Sequence, residues 1–253
     1  MQSYQRHLVT HADHPVAAPL SEDSVRVLLD RVMPRDRAPL LLDLGCGQGT
    51  WLLRALAARP DAEGVGLDID PAGIDHGLRE AERLGLAEKL RLVTADASRY
   101  PVDRPGDVVL CVGATHAFGG LLPSLEAAVA HLAPGGTVLL GEGFWERPPG
   151  PDALRVLGCD ADAYDDLAGT VRRVTDAGWT PVYGHVSTAA EWDDYEWSWT
   201  GSLARWALEH PGHPEAPGAA ALAADHRTGW LTGYRGTLGF VTLALRRTPP
   251  TTR

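Results

Sequence analysis

The residues best placed to do chemistry lie in one short stretch, Asp43-Leu44-Gly45-Cys46-Gly47-Gln48-Gly49. Glycine permits positive φ and lets a ligand lie against the main chain with no Cβ in the way. Asp68 follows, 19 residues beyond Gly49; an acid at that place can accept hydrogen bonds from both hydroxyls of a ribose. Asp70 competes with it but precedes Pro71, and the pair reads as the N-cap and first turn of a helix. The fingerprint of dinucleotide sites, G-x-G-x-x-G, is not met: Thr50 and Leu52 stand where its last glycine would be. Further along, Gly113-Ala114-Thr115-His116-Ala117-Phe118-Gly119-Gly120 contains His116, the one side chain of this loop of a type suited to proton transfer near neutral pH. The alternative for His116 is a cap or a hydrogen bond to the loop backbone.

These residues need a frame, and the pattern supplies one. Leu40–Leu44 is a short apolar run, as in a parallel strand covered on both faces. From Thr50 the apolar spacing turns helical, through Trp51, Leu52, Leu53, Leu56 and Ala57. A glycine turn feeding a helix N-terminus is a ligand-binding geometry. Strands are expected at 64–68, 90–94, 107–112, 137–141, 180–188 and 238–245. Helices are expected from Ser21, from Pro71 to about Leu84, over 121–132 up to the stop signal Pro134-Gly135-Gly136, and over 160–178. Val25, Leu28, Leu29 and Val32 repeat at helical spacing on the first of these helices. The alternation predicts an α/β doubly wound sheet with helices on both faces.

The Asp-x-Gly-x-Gly-x-Gly turn, with Asp68 and Asp96 at successive strand ends, resembles the motifs of class I S-adenosylmethionine-dependent methyltransferases, of the bacterial small-molecule type. Leu132-x-Pro134-Gly135-Gly136 before a strand resembles a late motif of that family. The resemblance covers residues 21–188 and 238–246. It implies a seven-stranded Rossmann-like sheet in order 3-2-1-4-5-7-6, last strand antiparallel, and S-adenosyl-L-methionine as cofactor. By that resemblance the cofactor would meet Asp43, Gly45, Cys46, Gly47 and Gly49, then Cys111 and Gly113 after the fourth strand. Asp68 would take the ribose and Ile69 the adenine face. Asp96 would accept the adenine amino group beside the Ala97 N–H, although Asp96 can equally cap the turn Ser98–Tyr100. The loop holding His116 is where the family brings methyl group and acceptor together. The Asp/Asn-Pro-Pro-Tyr/Phe box of many methyltransferases that act on nucleic acid is absent, which counts against a nucleobase acceptor.

With 253 residues the chain is long enough for one large α/β domain. It is read as a single domain with an N-terminal lid and helix over 1–38, a cofactor-binding core over 39–188, a helical aromatic-rich insertion over 189–236, and a last strand and tail over 237–253. A formal net charge of −10 argues against a nucleic-acid partner. Cys46, Cys111 and Cys159 are widely spaced and odd in number, consistent with a reducing compartment. Lys89 is the only lysine, so Schiff-base chemistry is nearly excluded. Neither a leader core nor a transmembrane run is present, and a soluble cytoplasmic location is expected. His7, His11 and His14 could share a helix face and hold zinc. Pro15 and Pro19 and the lack of a cysteine partner favour a solvated or lid-like segment instead, and no metal is expected.

Seven of the eight tryptophans fall after residue 144, so the aromatics of this half either line a pocket or hold a subdomain together. Phe144, Trp145, Trp192 and Trp197 are the candidates for an acceptor wall. The expected reaction is methyl transfer to oxygen or nitrogen of a small, partly aromatic metabolite. The alternatives are a lyase or cyclase that binds the same cofactor without methyl transfer, an RNA or protein methyltransferase, and an NAD-dependent oxidoreductase. The last two are disfavoured by the acidity, the missing box and the missing glycine. The sequence leaves the oligomeric state open.

Overall fold

A computed structural model describes residues 3–101 and 103–249; the ends of the expected N-terminal and C-terminal segments, 1–2 and 250–253, lie outside the described residues. Helices α1 (Ser3–Thr10) and α2 (Glu22–Val32) precede strand β1 (Leu40–Leu44). Then come α3 (Thr50–Ala58), β2 (Glu63–Asp68), α4 (Pro71–Arg83), β3 (Leu90–Thr94), β4 (Gly106–Val112), α5 (Leu121–His131) and β5 (Leu132–Trp145). The remainder is α6 (Pro151–Leu157), α7 (Leu167–Asp176), β6 (Trp179–Val186), α8 (Ala189–Glu209), α9 (Ala216–Gly229) and β7 (Leu238–Arg247).

All seven strands form one sheet, in order β3-β2-β1-β4-β5-β7-β6. Strand β1 is buried along its whole length, and Leu42 stands between Val65 of β2 and Val109 of β4 in parallel register. From β1 the chain adds β2 and β3 on one side and then β4 and β5 on the other, so the strand order reverses between β1 and β4. A crevice outside the carboxyl ends of the strands forms at such a reversal. Strand β7 is antiparallel. Ser187 N–H donates to Phe240 O and Thr248 N–H donates to Gly178 O, so one strand ascends as the other descends.

Two compact units divide the chain. The core unit comprises 22–142, 171–185 and 241–253, and the helical unit 1–21, 143–170 and 186–240. The helical unit therefore extends well beyond the expected insertion over 189–236. In the core unit Val25, Leu28, Leu29 and Val32 are buried on α2, as their spacing requires. Strand β5 is much longer than the expected 137–141. Helix α5 stops at His131, and the Pro134-Gly135-Gly136 segment continues as irregular strand across a register shift near Gly106, with the ladder resuming at Val108 opposite Thr137. The helix expected over 160–178 begins only at Leu167, and α6 was not anticipated, because seven residues carry too few apolar repeats to register.

The helical unit is built on polar anchors. Thr188 and Glu191 form a capping box at the start of α8, and Glu191 also accepts the Ser21 N–H at 2.9 Å. Leu203, Ala207, Ala216, Ala219 and Ala223 make the seam between α8 and α9, where small side chains let the helices approach. Glu196 is buried inside the unit and accepts from Tyr234 Oη at 2.6 Å and His226 Nε2 at 2.8 Å. A buried carboxylate is tolerable only with such partners.

Two of the three N-terminal histidines are buried. His11 and His14 each pack on the Tyr195 ring, and His14 donates to Val16 O at 2.8 Å. Among the described residues no group of three His, Cys, Asp or Glu could hold a metal ion, and no helix is long and apolar enough to cross a membrane.

Burial, with His7 and His14 nearby, lowers the His11 pKa from 6.5 to about 4. The folded state holds His11 neutral while the unfolded chain takes up a proton below 6.5, so stability is full above that value and falls as pH drops towards 4. At about 1.4 kcal/mol per pH unit, the loss reaches about 2 kcal/mol by pH 5. The melting temperature of wild type relative to His11→Gln should be lower at pH 5 than at pH 7.5; a difference that is the same at both pH values would remove His11 as the cause.

Candidate functional site

The glycine turn lies at the carboxyl end of β1, and its conformation follows from its residues. Gly45 has φ 82°, and a Cβ built there would sit 2.5 Å from Ala114 Cβ, so only glycine lets the β4 loop come this close. Gly47 has φ 53° with nothing within 4 Å of where its Cβ would be, so that side of the turn is open. Gly45 N–H and Cys46 N–H both donate to Leu67 O, at 2.8 and 3.0 Å, which fastens the turn to β2. Helix α3 then begins at Thr50 with no side-chain cap, leaving its first N–H groups to the turn.

Asp68 holds the turn from the other side. Its Oδ2 accepts Gly47 N–H at 2.7 Å and its Oδ1 accepts Asp70 N–H at 2.9 Å. Each carboxylate oxygen retains further lone-pair capacity. The next residue, Ile69, is 75% exposed, an unusual state for a large apolar side chain beside a strand end. Asp70 caps α4, accepting Ala72 N–H at 3.1 Å, in keeping with its structural reading. Asp96 accepts Ser98 N–H at 2.9 Å and Ser98 Oγ at 2.6 Å, the turn-capping arrangement. These bonds hold its carboxyl below the usual range. Ala97 is buried, with its carbonyl accepting from His131 Nε2 at 3.2 Å.

Asp43 is the anomaly of the site. It is 3% exposed, and its Oδ2 has no hydrogen-bond partner. Burial first, and the neighbouring Asp68 second, raise its pKa to about 8. Cys46 and Cys111 are buried beside it. Burial pushes both thiols up, Cys111 to about 12, so they stay neutral and contribute shape rather than charge.

The β4 loop turns at Gly113, with φ 77°, and makes a short 3-10 turn over Thr115–Phe118. Thr115 Oγ1 donates to Glu142 Oε1 at 3.3 Å, and Ser124 Oγ donates to Gly120 O at 2.8 Å. His116 lies exposed on this turn, and its imidazole makes no hydrogen bond among the described residues. The His116 backbone carbonyl accepts the Gly119 N–H at 3.3 Å. The sequence reading missed Glu142 as the anchor of this loop; the signal available was an acid directly after the apolar run 137–141.

The four wall candidates belong to the helical unit and separate there. Phe144 is 1% exposed and lies so close to Gly239 that a Cβ on the glycine would be 2.3 Å from the ring. Trp145 is buried, donates Nε1–H to Ala161 O at 2.8 Å and meets Tyr164 edge-on. Both side chains are committed to packing. Trp197 is half-exposed and edge-on to Trp230. Trp192 lines a cavity of about 560 Å³.

Known proteins bear on this geometry. A family model described as "Methyltransferase domain" matches residues 42–138. The chain is 29% identical over 206 residues to the uncharacterized protein YjhP of Escherichia coli (strain K12), covering 80% of this chain and 82% of that one. It is 33% identical over 175 residues to a trans-aconitate 2-methyltransferase of Streptomyces avermitilis, 68% of this chain and 62% of that protein. A crystal structure of a SAM-dependent methyltransferase from Geobacter sulfurreducens in complex with S-adenosyl-L-homocysteine superposes with a TM-score of 0.87 at 25% identity, covering 96% of this chain and 98% of that one.

The titration of Asp43 gives a direct test of its environment. Its folded pKa is raised, so its contribution is fully present below 3.8 and is lost as pH rises towards 8. Between pH 5 and pH 8 this costs the ligand-free protein up to roughly 4 kcal/mol, at about 1.4 kcal/mol per unit. The melting temperature of wild type relative to Asp43→Asn should fall over that range. Parallel curves would mean that Asp43 is ionised and solvated in the folded protein.

Proposed function

Because the chain belongs to the S-adenosylmethionine-dependent methyltransferase family, with the class I fold, we propose that it transfers a methyl group to oxygen or nitrogen of a small, partly aromatic metabolite. The observation that carries this reading is the strand-order reversal itself, where an open glycine turn, Asp68 and the unpartnered Asp43 oxygen converge. The residues fit the family's cofactor. Asp68 has lone pairs for the two ribose hydroxyls, and exposed Ile69 offers an apolar face to the adenine. Asp96 and Ala97 lie at the end of the neighbouring β3 as the adenine-edge candidates. Buried Asp43, next to the turn, is the partner for the amino group of the methionine moiety. Gly45, Cys46, Gly47, Gly49, Cys111 and Gly113 supply the surface against which the ligand lies.

The cofactor supplies an electrophilic methyl on a sulfonium, so no nucleophile on the protein is needed. What the chain contributes is proximity, orientation and exclusion of water. His116 is the proton acceptor for the acceptor O–H or N–H, since its imidazole is uncommitted and sits on the loop after β4. Thr115 and Glu142 hold that loop in place. The net charge of −10 and the absence of the Pro-Pro box support a small-molecule acceptor over a nucleic acid.

Loss of Asp68 removes a charged acceptor and frees the Gly47 N–H as well. Asp68→Ala should weaken S-adenosylhomocysteine binding by on the order of 2–3 kcal/mol in calorimetry; unchanged affinity would end its assignment. His116→Ala should lower kcat by about 10²–10⁴-fold while cofactor affinity is kept, and should flatten the acidic limb of the kcat–pH profile. Full activity with an unaltered profile would make the acceptor its own nucleophile. Formation of S-adenosylhomocysteine in step with acceptor consumption tests methyl transfer itself, and consumption without it would point to the lyase or cyclase reading.

A further inference from the structure

The helical unit contains a cavity of about 560 Å³, within the size range of small-molecule sites. It opens beside the start of α8 and is lined by Ser187, Trp192, Arg147 and the Arg235–Asp193 pair, with Trp230 and Leu238 among its apolar walls. Two features distinguish it from a packing defect. Ser187 is 8% exposed and its Oγ has no partner, and the buried Trp192 Nε1 has none either. Buried polar groups left this way are rare in folded proteins and call for a ligand or a water. Both residues belong to the lining of the cavity.

The chemistry of these groups selects the ligand. Indole N–H can only donate, a guanidinium can only donate, and a serine hydroxyl can donate. Arg147 makes no ion pair or hydrogen bond among the described residues. Asp193 does not oppose an anion, because Arg235 neutralises it through two bonds of 2.8 and 2.7 Å. Glu146 is the remaining carboxylate of the lining, on its exposed rim. Three donors above apolar aromatic walls match an oxyanion on a ring-sized apolar body. We propose that this cavity binds a small carboxylic acid, with Ser187, Trp192 and Arg147 as the partners of its carboxylate and Trp230 and Leu238 against its apolar part.

The proposal is independent of the cofactor reading, and the test keeps the two apart. Benzoate and its uncharged counterpart benzyl alcohol would be titrated into the full chain, followed by ligand-observed NMR and tryptophan fluorescence. Calorimetry with S-adenosylhomocysteine would be run in parallel on the same samples. Benzoate should bind and benzyl alcohol should bind at least tenfold more weakly. Ser187→Ala, Trp192→Phe and Arg147→Gln should each weaken benzoate roughly tenfold, the scale of one hydrogen bond to a charged group, with melting temperature and S-adenosylhomocysteine affinity kept. Equal binding of the two probes, no benzoate binding at about 20 mM, or benzoate binding indifferent to all three substitutions would each overturn it.

Discussion

A carboxyl group buried at the end of the central strand, with one oxygen unpartnered, is the constraint around which the core unit is arranged. Asp43 is 3% exposed, and Asp68 sits close enough to oppose its ionisation. Burying such a group costs free energy unless it is paired. Its neighbours offer no pairing: Cys46 and Cys111 stay neutral thiols, and the nearby backbone donors are used elsewhere. Gly45 and Cys46 give their N–H groups to Leu67, and Gly47 gives its own to Asp68. These three donors of the turn are thus committed away from Asp43. On the proposed function, the ammonium of the family's cofactor supplies the partner that Asp43 lacks.

Much of this was legible in the residues. The limits of β1 and β3 follow from bounded apolar runs, and α2 follows from four apolar residues on one face. The glycine turn is legible because positive φ and close approach leave glycine as the one suitable residue, as Gly45 against Ala114 shows. Asp70 reads correctly as a cap because proline follows it. What escaped depends on contacts distant in sequence. Strand β5 outruns its apolar segment at its start, where Leu132 pairs with Gly106 of β4. The burial of His11 and His14 depends on Tyr195, far along the chain. Aromatic residue type alone could not tell Phe144 and Trp145, consumed by packing against Gly239 and Tyr164, from Trp192 on a cavity wall.

The two units use polar groups in contrasting ways. In the helical unit the buried Glu196 is fully engaged, by Tyr234 and His226, and this fixes one arrangement of α8, α9 and the turn that follows. In the core unit Asp43 is left open, while Asp68, equally close to the turn, is engaged by backbone. The first pattern gives rigidity and the second gives binding capacity. The β4 loop combines both: Thr115 is tied to Glu142, whereas His116 beside it is uncommitted.

The structure of the protein with S-adenosylhomocysteine bound measures the central claim most directly. The account predicts the ligand's amino group within hydrogen-bond distance of Asp43 Oδ2, the ribose hydroxyls on Asp68, and the adenine against Ile69. Ligand density away from the Gly45–Gly49 turn, or an Asp43 oxygen still without a partner in the complex, would contradict it.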